Sequence, residues 1–243
     1  MGFYLTIDEG NSSAKMALWE GSVCIREARF EDITPTEAAH FTGGVELTAV
    51  AYSSVKTADR KILSLLPAGV KVYNVSSSLP IPITLDYSTP TTLGADRIAA
   101  AAGASVISQG ESALIVDIGT AVTYDFLDSR LRFEGGNIAP GIEMRLNALN
   151  KYTSALPAVD PHGDTPLLGK TTAEAMRSGA VLGVAAETEY YRSQLKPSHS
   201  SFITILTGGG AELVAPHISR PFRIVPNLVM LGLKRILDYN ESL

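Results

Sequence analysis

The loop Ile7-Asp8-Glu9-Gly10-Asn11-Ser12 recurs 109 residues later as Val116-Asp117-Ile118-Gly119-Thr120, and no other feature of the chain restricts the fold as much. In both copies an Asp-x-Gly and a hydroxyl side chain separate two short apolar runs: Phe3 to Ile7 and Ala14 to Trp19, then Ala113 to Val116 and Val122 to Leu127. Runs of this length, bounded by turn residues, read as strands joined by a tight turn. The spacing is about that of one small domain. The 243 residues are therefore expected to form a duplication of two lobes, 1–110 and 111–243, with the last helix, Leu228 to Asp238, free to pack back across the boundary.

Leu47 to Tyr52 and Val70 to Val75 continue the strand pattern, and a helix is expected between them from Lys56 to Leu66, ended by Pro67. Strands alternating with helices argue for α/β lobes. Residues 76–92 carry Pro80, Pro82 and Pro90 among serines and threonines, which predicts an extended loop. A helix then starts near Asp96 and runs through the alanine-rich stretch Ile98 to Val106. A second helix, Thr172 to Leu195, is apolar nearly all round in Gly179 to Ala186, so it belongs at the centre of the lobe or in a subunit interface. Phe202 to Leu206 reads as a strand, Thr207-Gly208-Gly209-Gly210 as a loop, and Ala211 to Ala215 as a helical turn.

One such loop is ordinary hairpin chemistry. Two at one-domain spacing, with a third glycine loop, suit a nucleotide: glycine lets the backbone approach an anion, and Ser12, Ser13 and Thr120 add hydroxyl donors. Asp8 and Asp117 then fall at the carboxyl ends of facing strands, where a hard cation bridging phosphates needs carboxylates. Thr207 to Gly210 offers bare backbone to a base or ribose. There is no Gly-x-x-x-x-Gly-Lys-Ser/Thr run, and no Gly-x-Gly-x-x-Gly follows the first strand, which disfavours a Walker-type ATPase and a dinucleotide-binding dehydrogenase.

With 20 Lys and Arg against 25 Asp and Glu, the net charge of -5 lacks the basic field that concentrates nucleic acid. The amino terminus has no basic segment, and Asp8-Glu9 interrupts its apolar run well short of a membrane span, so a cytoplasmic protein with no membrane partner is expected. The single cysteine, Cys24, excludes an intrachain disulfide and is expected in the core or a strand. His40, His162, His199 and His217 show no metal-ligand spacing, and no zinc is expected.

Five motifs in order carry a family resemblance: Asp8-Glu-Gly-Asn-Ser-Ser-Ala-Lys15, Tyr87 leading to Leu93-Gly-Ala-Asp-Arg97, Asp117-Ile-Gly-Thr-Ala-Val-Thr-Tyr-Asp125, Gly135-Gly-Asn-Ile-Ala-Pro-Gly141 and Thr207-Gly-Gly-Gly210. Over nearly its whole length the chain resembles the type III pantothenate kinases. That resemblance implies a duplicated actin-like (ribonuclease H-like) two-lobe α/β ATPase fold and a homodimer that phosphorylates the primary hydroxyl of pantothenate with ATP, giving 4'-phosphopantothenate, the entry to coenzyme A. It further implies that Asp8, Gly10, Asn11, Ser12, Ser13, Lys15, Thr120, Gly208 and Gly209 bind ATP. Tyr87, Gly94, Ala95, Asp96, Arg97 and Thr172 would meet pantothenate, with Asp96 as proton acceptor. Mg2+ would accompany ATP, and Asp117 would help hold a monovalent cation, K+ or NH4+.

The chain departs from the family pattern at Thr171-Thr172, where relatives commonly have Asn-Thr, and at Glu9, which adds a negative charge to the first loop unless it points away. Structural roles are open at several of these positions. Asp96 suits a helix amino-terminal cap, Thr171-x-x-Glu174 suits a capping box, and Trp19, Tyr190 and Tyr191 suit packing, with Tyr191 or its neighbour as a dimer contact. A kinase with another acceptor, such as a sugar or a short carboxylate, or a regulator that kept the fold, would share the phosphate loops. Retention of Asp8, Asp96 and Asp117 together argues for catalysis.

Overall fold

Strand β1 (Phe3–Glu9) buries Leu5 and Ile7 on one face and Thr6 on the other, as a strand covered on both sides must. The structure, a computed structural model, describes residues 2–10, 13–31, 33–54, 61–199 and 201–243. Around β1 the first unit assembles β2 (Ala14–Glu20), β3 (Val23–Phe30), helix α1 (Pro35–Thr42), β4 (Leu47–Ser54), β5 (Lys71–Asn74), the short β6 (Thr84–Leu85) and α2 (Ala95–Ile107). Its sheet runs β3-β2-β1-β4-β5, with the first three strands antiparallel and β4 and β5 added in parallel on the other side of β1.

The second unit contains β7 (Ser112–Ile118), β8 (Ala121–Leu127), β9 (Arg132–Pro140), α3 (Ile142–Tyr152), α4 (Thr172–Leu195), β10 (Phe202–Thr207), α5 (Ala211–Val214) and β11 (Arg223–Ile224). These strands run β11-β10-β7-β8-β9, antiparallel across β7, β8 and β9 and parallel across β7, β10 and β11. Strand for strand this is the topology of the first unit. The fold is thus α/β and internally duplicated.

The final helix, α6 (Leu228–Glu241), joins the first unit, so the compact units are Met1–Ile107 with Leu228–Leu243, and Ser108–Asn227. The division expected from sequence had placed 228–243 in the second lobe while allowing this return. Small residues hold α6 there. A Cβ at Gly232 would lie 1.7 Å from the Ala99 carbonyl oxygen, and one at Gly103 would lie 2.3 Å from that of Leu228. The alanine run of α2 therefore serves backbone-to-backbone packing as well as helix propensity. Together α2 and α6 cover the sheet face bearing Thr6, whose hydroxyl accepts from Trp19 Nε1 at 3.0 Å and contacts Met230. On the same side Lys234 is buried against Asp238 at 2.5 Å and over the rings of Tyr4 and Trp19. The opposite face packs Leu5, Ile7, Leu18, Val50 and Tyr52 against Phe41 of α1 and Ile62.

In the second unit α3 and α4 cover one face of the sheet, with Leu146, Met176, Val181 and Val184 against Leu114, Val116 and Tyr124. The capping box at Thr171 is formed, and its hydroxyl accepts from Glu174 N at 3.1 Å.

Several expectations change. The expected helix from Lys56 to Leu66 is, over its described part, a 3-10 helix at Lys61–Leu65, and residues 56–60 lie outside the described residues. Pro67 has no N–H to give the Leu63 carbonyl, and Leu66 N–H donates to it instead at 3.2 Å, tightening the turn. Cys24 lies in a strand but is exposed, because β3 is an edge strand whose outward residues include Val23, 62% exposed. Among the described residues no helix is long and apolar enough to cross a membrane.

Candidate active site

Strand register places Asp8 between Ser53 on β4 and Lys15 on β2. The Ser53 hydroxyl donates to Asp8 Oδ1 at 2.5 Å. Burial raises the Asp8 pKa above the usual carboxylate range, the Ser53 hydrogen bond opposes that rise, the negative charge of Asp96 adds to it, and Lys15 opposes it. Asp8 and Asp96, 88 positions apart in sequence, thus share one electrostatic environment within the first unit.

Asp96 stands in the first turn of α2, where the Gly94 carbonyl accepts from Ile98 N–H at 3.1 Å. Its Oδ1 accepts from Arg97 N–H at 2.9 Å. A Cβ at residue 94 would lie 2.3 Å from that oxygen, so glycine is what leaves room for the carboxylate. Arg97 is buried, with its guanidinium 5.8 Å from the centroid of the Tyr87 ring. The proline-rich loop and the start of α2, read from sequence as one substrate region including Ala95, therefore do meet in space through Tyr87 and Arg97.

Glu9 resolves differently from its neighbour. In β1 successive side chains alternate, and Glu9 points away from Asp8 into the β4 pair formed by the hydroxyls of Tyr52 and Ser54, both of which donate to its Oε2. At 8% exposure its charge belongs to the opposite sheet face. The Gly10 N–H donates to Ser13 O at 2.9 Å, closing the turn, and Ser13 Oγ accepts from Arg29 Nε at 2.8 Å. Asn11 and Ser12 lie outside the described residues. Arg29 escaped the sequence reading, since only the β2/β3 pairing, which sets Lys15 opposite Arg29, brings this second cation to the loop.

The second unit repeats the arrangement with different closure. Asp117, next to last in β7, lies beside Thr207 of β10, and the chain then turns at Gly208, φ 83°, so that its backbone lies against the carboxylate: a Cβ there would stand 2.4 Å from Asp117 Oδ1. Gly210 N–H donates to Ile118 O at 2.9 Å, which ties the third glycine loop to the second Asp-x-Gly loop. Thr120 is exposed at the turn, as is Gly209. Gly119 N–H donates to Ala121 O at 3.0 Å. Thr172 is the first residue of α4 and exposed, and its neighbour Thr171 supplies the cap.

The sequence model of the type III pantothenate kinase family matches residues 4–194. A type III pantothenate kinase from Azobacteroides pseudotrichonymphae is 34% identical over 240 residues, 98% of each chain, and one from Phocaeicola vulgatus is 35% identical over 242 residues, 98% of this chain and 99% of the relative. Among solved structures, the activator of 2-hydroxyisocaproyl-CoA dehydratase from Clostridium difficile with bound ADPNP superposes with a TM-score of 0.58 at 13% identity, covering 99% of this chain and 96% of its own. A ROK family glucokinase from Streptomyces griseus in complex with glucose and AMPPNP gives 0.54 at 10% identity, covering 96% and 98%. At these identities the structures speak for the fold, which is that of the actin-like ATPases and sugar kinases.

Proposed function

The chain belongs to the type III pantothenate kinase family, and from that premise we propose how its own residues carry out the transfer. The protein is an ATP-dependent kinase that phosphorylates pantothenate in the first step of coenzyme A biosynthesis. The oxygen of the primary hydroxyl bonds to the γ-phosphorus, the bond from that phosphorus to the bridging oxygen breaks, and ADP leaves. The hydroxyl proton passes to Asp96. Because Asp96 Oδ1 accepts from Arg97 N–H, Oδ2 is the oxygen that takes it. The transition state of such a transfer is loose, so positioning and charge stabilisation carry most of the rate.

The observation that carries this assignment is the start of α2, where Asp96 is held by the Arg97 N–H and the buried Arg97 guanidinium lies against the Tyr87 ring, with the Asp96 charge also felt at the buried Asp8 of β1. Asp8, Gly10, Asn11, Ser12, Ser13 and Lys15 take the ATP phosphates, with Thr120, Gly208 and Gly209 as further ATP contacts. Tyr87, Gly94, Ala95 and Arg97 hold pantothenate, and Thr172 adds a contact. A kinase uses ATP with a divalent cation, and the Asp8 environment fits Mg2+: burial and the Asp96 charge both disfavour an isolated negative charge at Asp8, and a hard cation would offset that cost. When bound, Mg2+ neutralises charge on the phosphate oxygens. Asp117, packed against the Gly208 backbone, suits a monovalent cation, K+ or NH4+.

The active form is a cytoplasmic homodimer in this reading. Ala175, Gly179, Ala186 and Tyr190 share one outer face of α4, where Tyr190 is 61% exposed, and Tyr152 on α3 is 78% exposed. The reaction is tested by ADP release from purified protein with pantothenate, glucose and acetate as alternative acceptors, with the product identified by mass. ADP release that depends on pantothenate, with 4'-phosphopantothenate formed, is expected. Equal turnover of glucose or acetate would overturn it.

A further inference from the structure

Outside the residues given roles above, the second unit holds a dense polar cluster. Arg145 on α3 donates from Nε to Pro140 O at 2.8 Å and from Nη2 to both carboxylate oxygens of Glu187 on α4, at 2.8 and 2.7 Å. The Tyr124 hydroxyl of β8 donates to Glu187 Oε2 at 2.6 Å. Burial works to raise the Glu187 pKa, but the hydrogen bonds from Arg145 and Tyr124 and the Arg145 charge outweigh it and hold the carboxyl below its usual range. One guanidinium thereby ties α3 to α4 and to the end of β9, and Glu187 carries the link on to Tyr124 of β8. Gly183 leaves it room, since a Cβ there would lie 2.9 Å from Arg145 Nη1.

What this guanidinium holds is the Pro140–Gly141 corner. Gly141 N–H donates to Thr120 O at 3.0 Å, and a Cβ at residue 141 would lie 2.2 Å from Gly119 O and 2.4 Å from Thr120 O. The corner backbone is thus in direct contact with the second Asp-x-Gly loop, and Pro140 pairs with Ala121 in the β8/β9 ladder. Gly141 is also the N-cap of α3, whose first backbone hydrogen bond runs from the residue 145 N–H to Gly141 O at 2.9 Å whatever side chain stands there, so the part that depends on arginine is the bond from Nε to Pro140 O. Thr120 and Gly119 are exposed, and this backbone seat adds to the Gly119 N–H bond to Ala121 O and the Gly210 N–H bond to Ile118 O in holding the turn.

We propose that Arg145 is a positioning residue for the nucleotide: held by Glu187 and Tyr124, it fixes the Pro140–Gly141 corner against which the Gly119–Thr120 loop is set. The proposal rests on the reading that Thr120 contacts ATP. Lysine at 145 keeps the charge, but a single ammonium cannot reproduce the planar fork that reaches Pro140 O and both Glu187 oxygens.

The test is steady-state kinetics and melting of the full chain carrying Arg145→Lys, Glu187→Gln, Arg145→Ala or Thr120→Ala. Arg145→Lys and Glu187→Gln are expected to raise KM for ATP, for Arg145→Lys by about tenfold, the scale of a sub-ångström to ångström misplacement, while KM for pantothenate and the melting temperature stay near the parent. Free guanidinium ion should lower the raised KM of Arg145→Ala. Parental KM for ATP in both Arg145→Lys and Glu187→Gln overturns the proposal. So does a fall in stability with both KM values unchanged, or variants too unstable to assay, since either makes the cluster a determinant of the fold alone. Thr120→Ala separates the two layers. If it raises KM for ATP and Arg145→Lys does not, only the positioning role fails; if it leaves KM for ATP parental, the reading of Thr120 fails and takes the proposal with it.

Discussion

The Ser53 hydroxyl donates to the Asp8 carboxylate across the β1/β4 pair, and this hydrogen bond resists the rise of the Asp8 pKa. The rise itself, from burial first and from Asp96 next, has a definite consequence for stability. As pH climbs from the ordinary carboxylate value, about 3.9, through the raised folded value, the unfolded chain ionises first and the native state loses stability relative to it. Asp8→Asn removes that penalty. The variant is expected to melt above the parent at neutral pH, with the gap closing as pH falls below about 4, and to lose ATP turnover; thermal melts across pH beside an ADP-release assay check both. A variant that melts below the parent at neutral pH contradicts the assignment of strain to this carboxylate.

Asp96→Asn separates chemistry from helix structure, since Asp96, expected from sequence as the helix cap, lies one residue inside α2. Asp96 is the second residue of α2 and not its N-cap, and asparagine can still accept from Arg97 N–H, so the melting temperature should fall little, by no more than the loss of a first-turn negative charge. Turnover at saturating pantothenate should fall by about 10² to 10⁴, the range for loss of a general base. A variant with parental turnover leaves Asp96 only a structural role in the first turn of α2.

Asp117→Asn is expected to blunt the dependence of rate on K+ or NH4+. The measurement is turnover of parent and variant when potassium is exchanged for a bulky organic cation at constant ionic strength. Full parental activity in the organic cation alone would count against a monovalent site at Asp117.

Gly232→Ala places a methyl group where the Ala99 carbonyl oxygen stands 1.7 Å from the Cβ position. Helix propensity favours alanine here, yet overpacking dominates, and a net loss of about 1–3 kcal/mol is expected by denaturant unfolding. Since α2 carries Asp96 and packs on α6, KM for pantothenate should rise in the same variant.

Tyr190→Asp puts a charge on the exposed face of α4. Light scattering of the parent is expected to give the mass of two chains, and of the variant that of one chain, or a dimer that dissociates on dilution. A monomeric parent rejects the dimer reading.

The sequence by itself determined the elements whose signals are local. The Asp-x-Gly loops, β1, β2, β7, β8, α2, α4 and the Thr171–Glu174 capping box all follow from residue type within a few positions, and the repeat of the first loop at Asp117 announced a duplication that the matching strand order displays in full. β3 and β9 escaped notice. Val23–Phe30 alternates around Arg26, Glu27 and Arg29 on an exposed edge, and Gly135-Gly136 weakens the strand signal of β9, so both owe their form to the partner strand that hydrogen-bonds them. The tertiary structure alone decided that adjacent carboxylates part company, Asp8 to Ser53 and Glu9 to Tyr52. It also decided that Arg29 reaches Ser13, that Tyr87 meets Arg97, and that α6 returns to the first unit through Gly232. Each of these depends on register or on backbone contact between segments far apart in the chain. Residue pattern sets which face a side chain takes, but only the closed sheet and the packed helices set what it meets there.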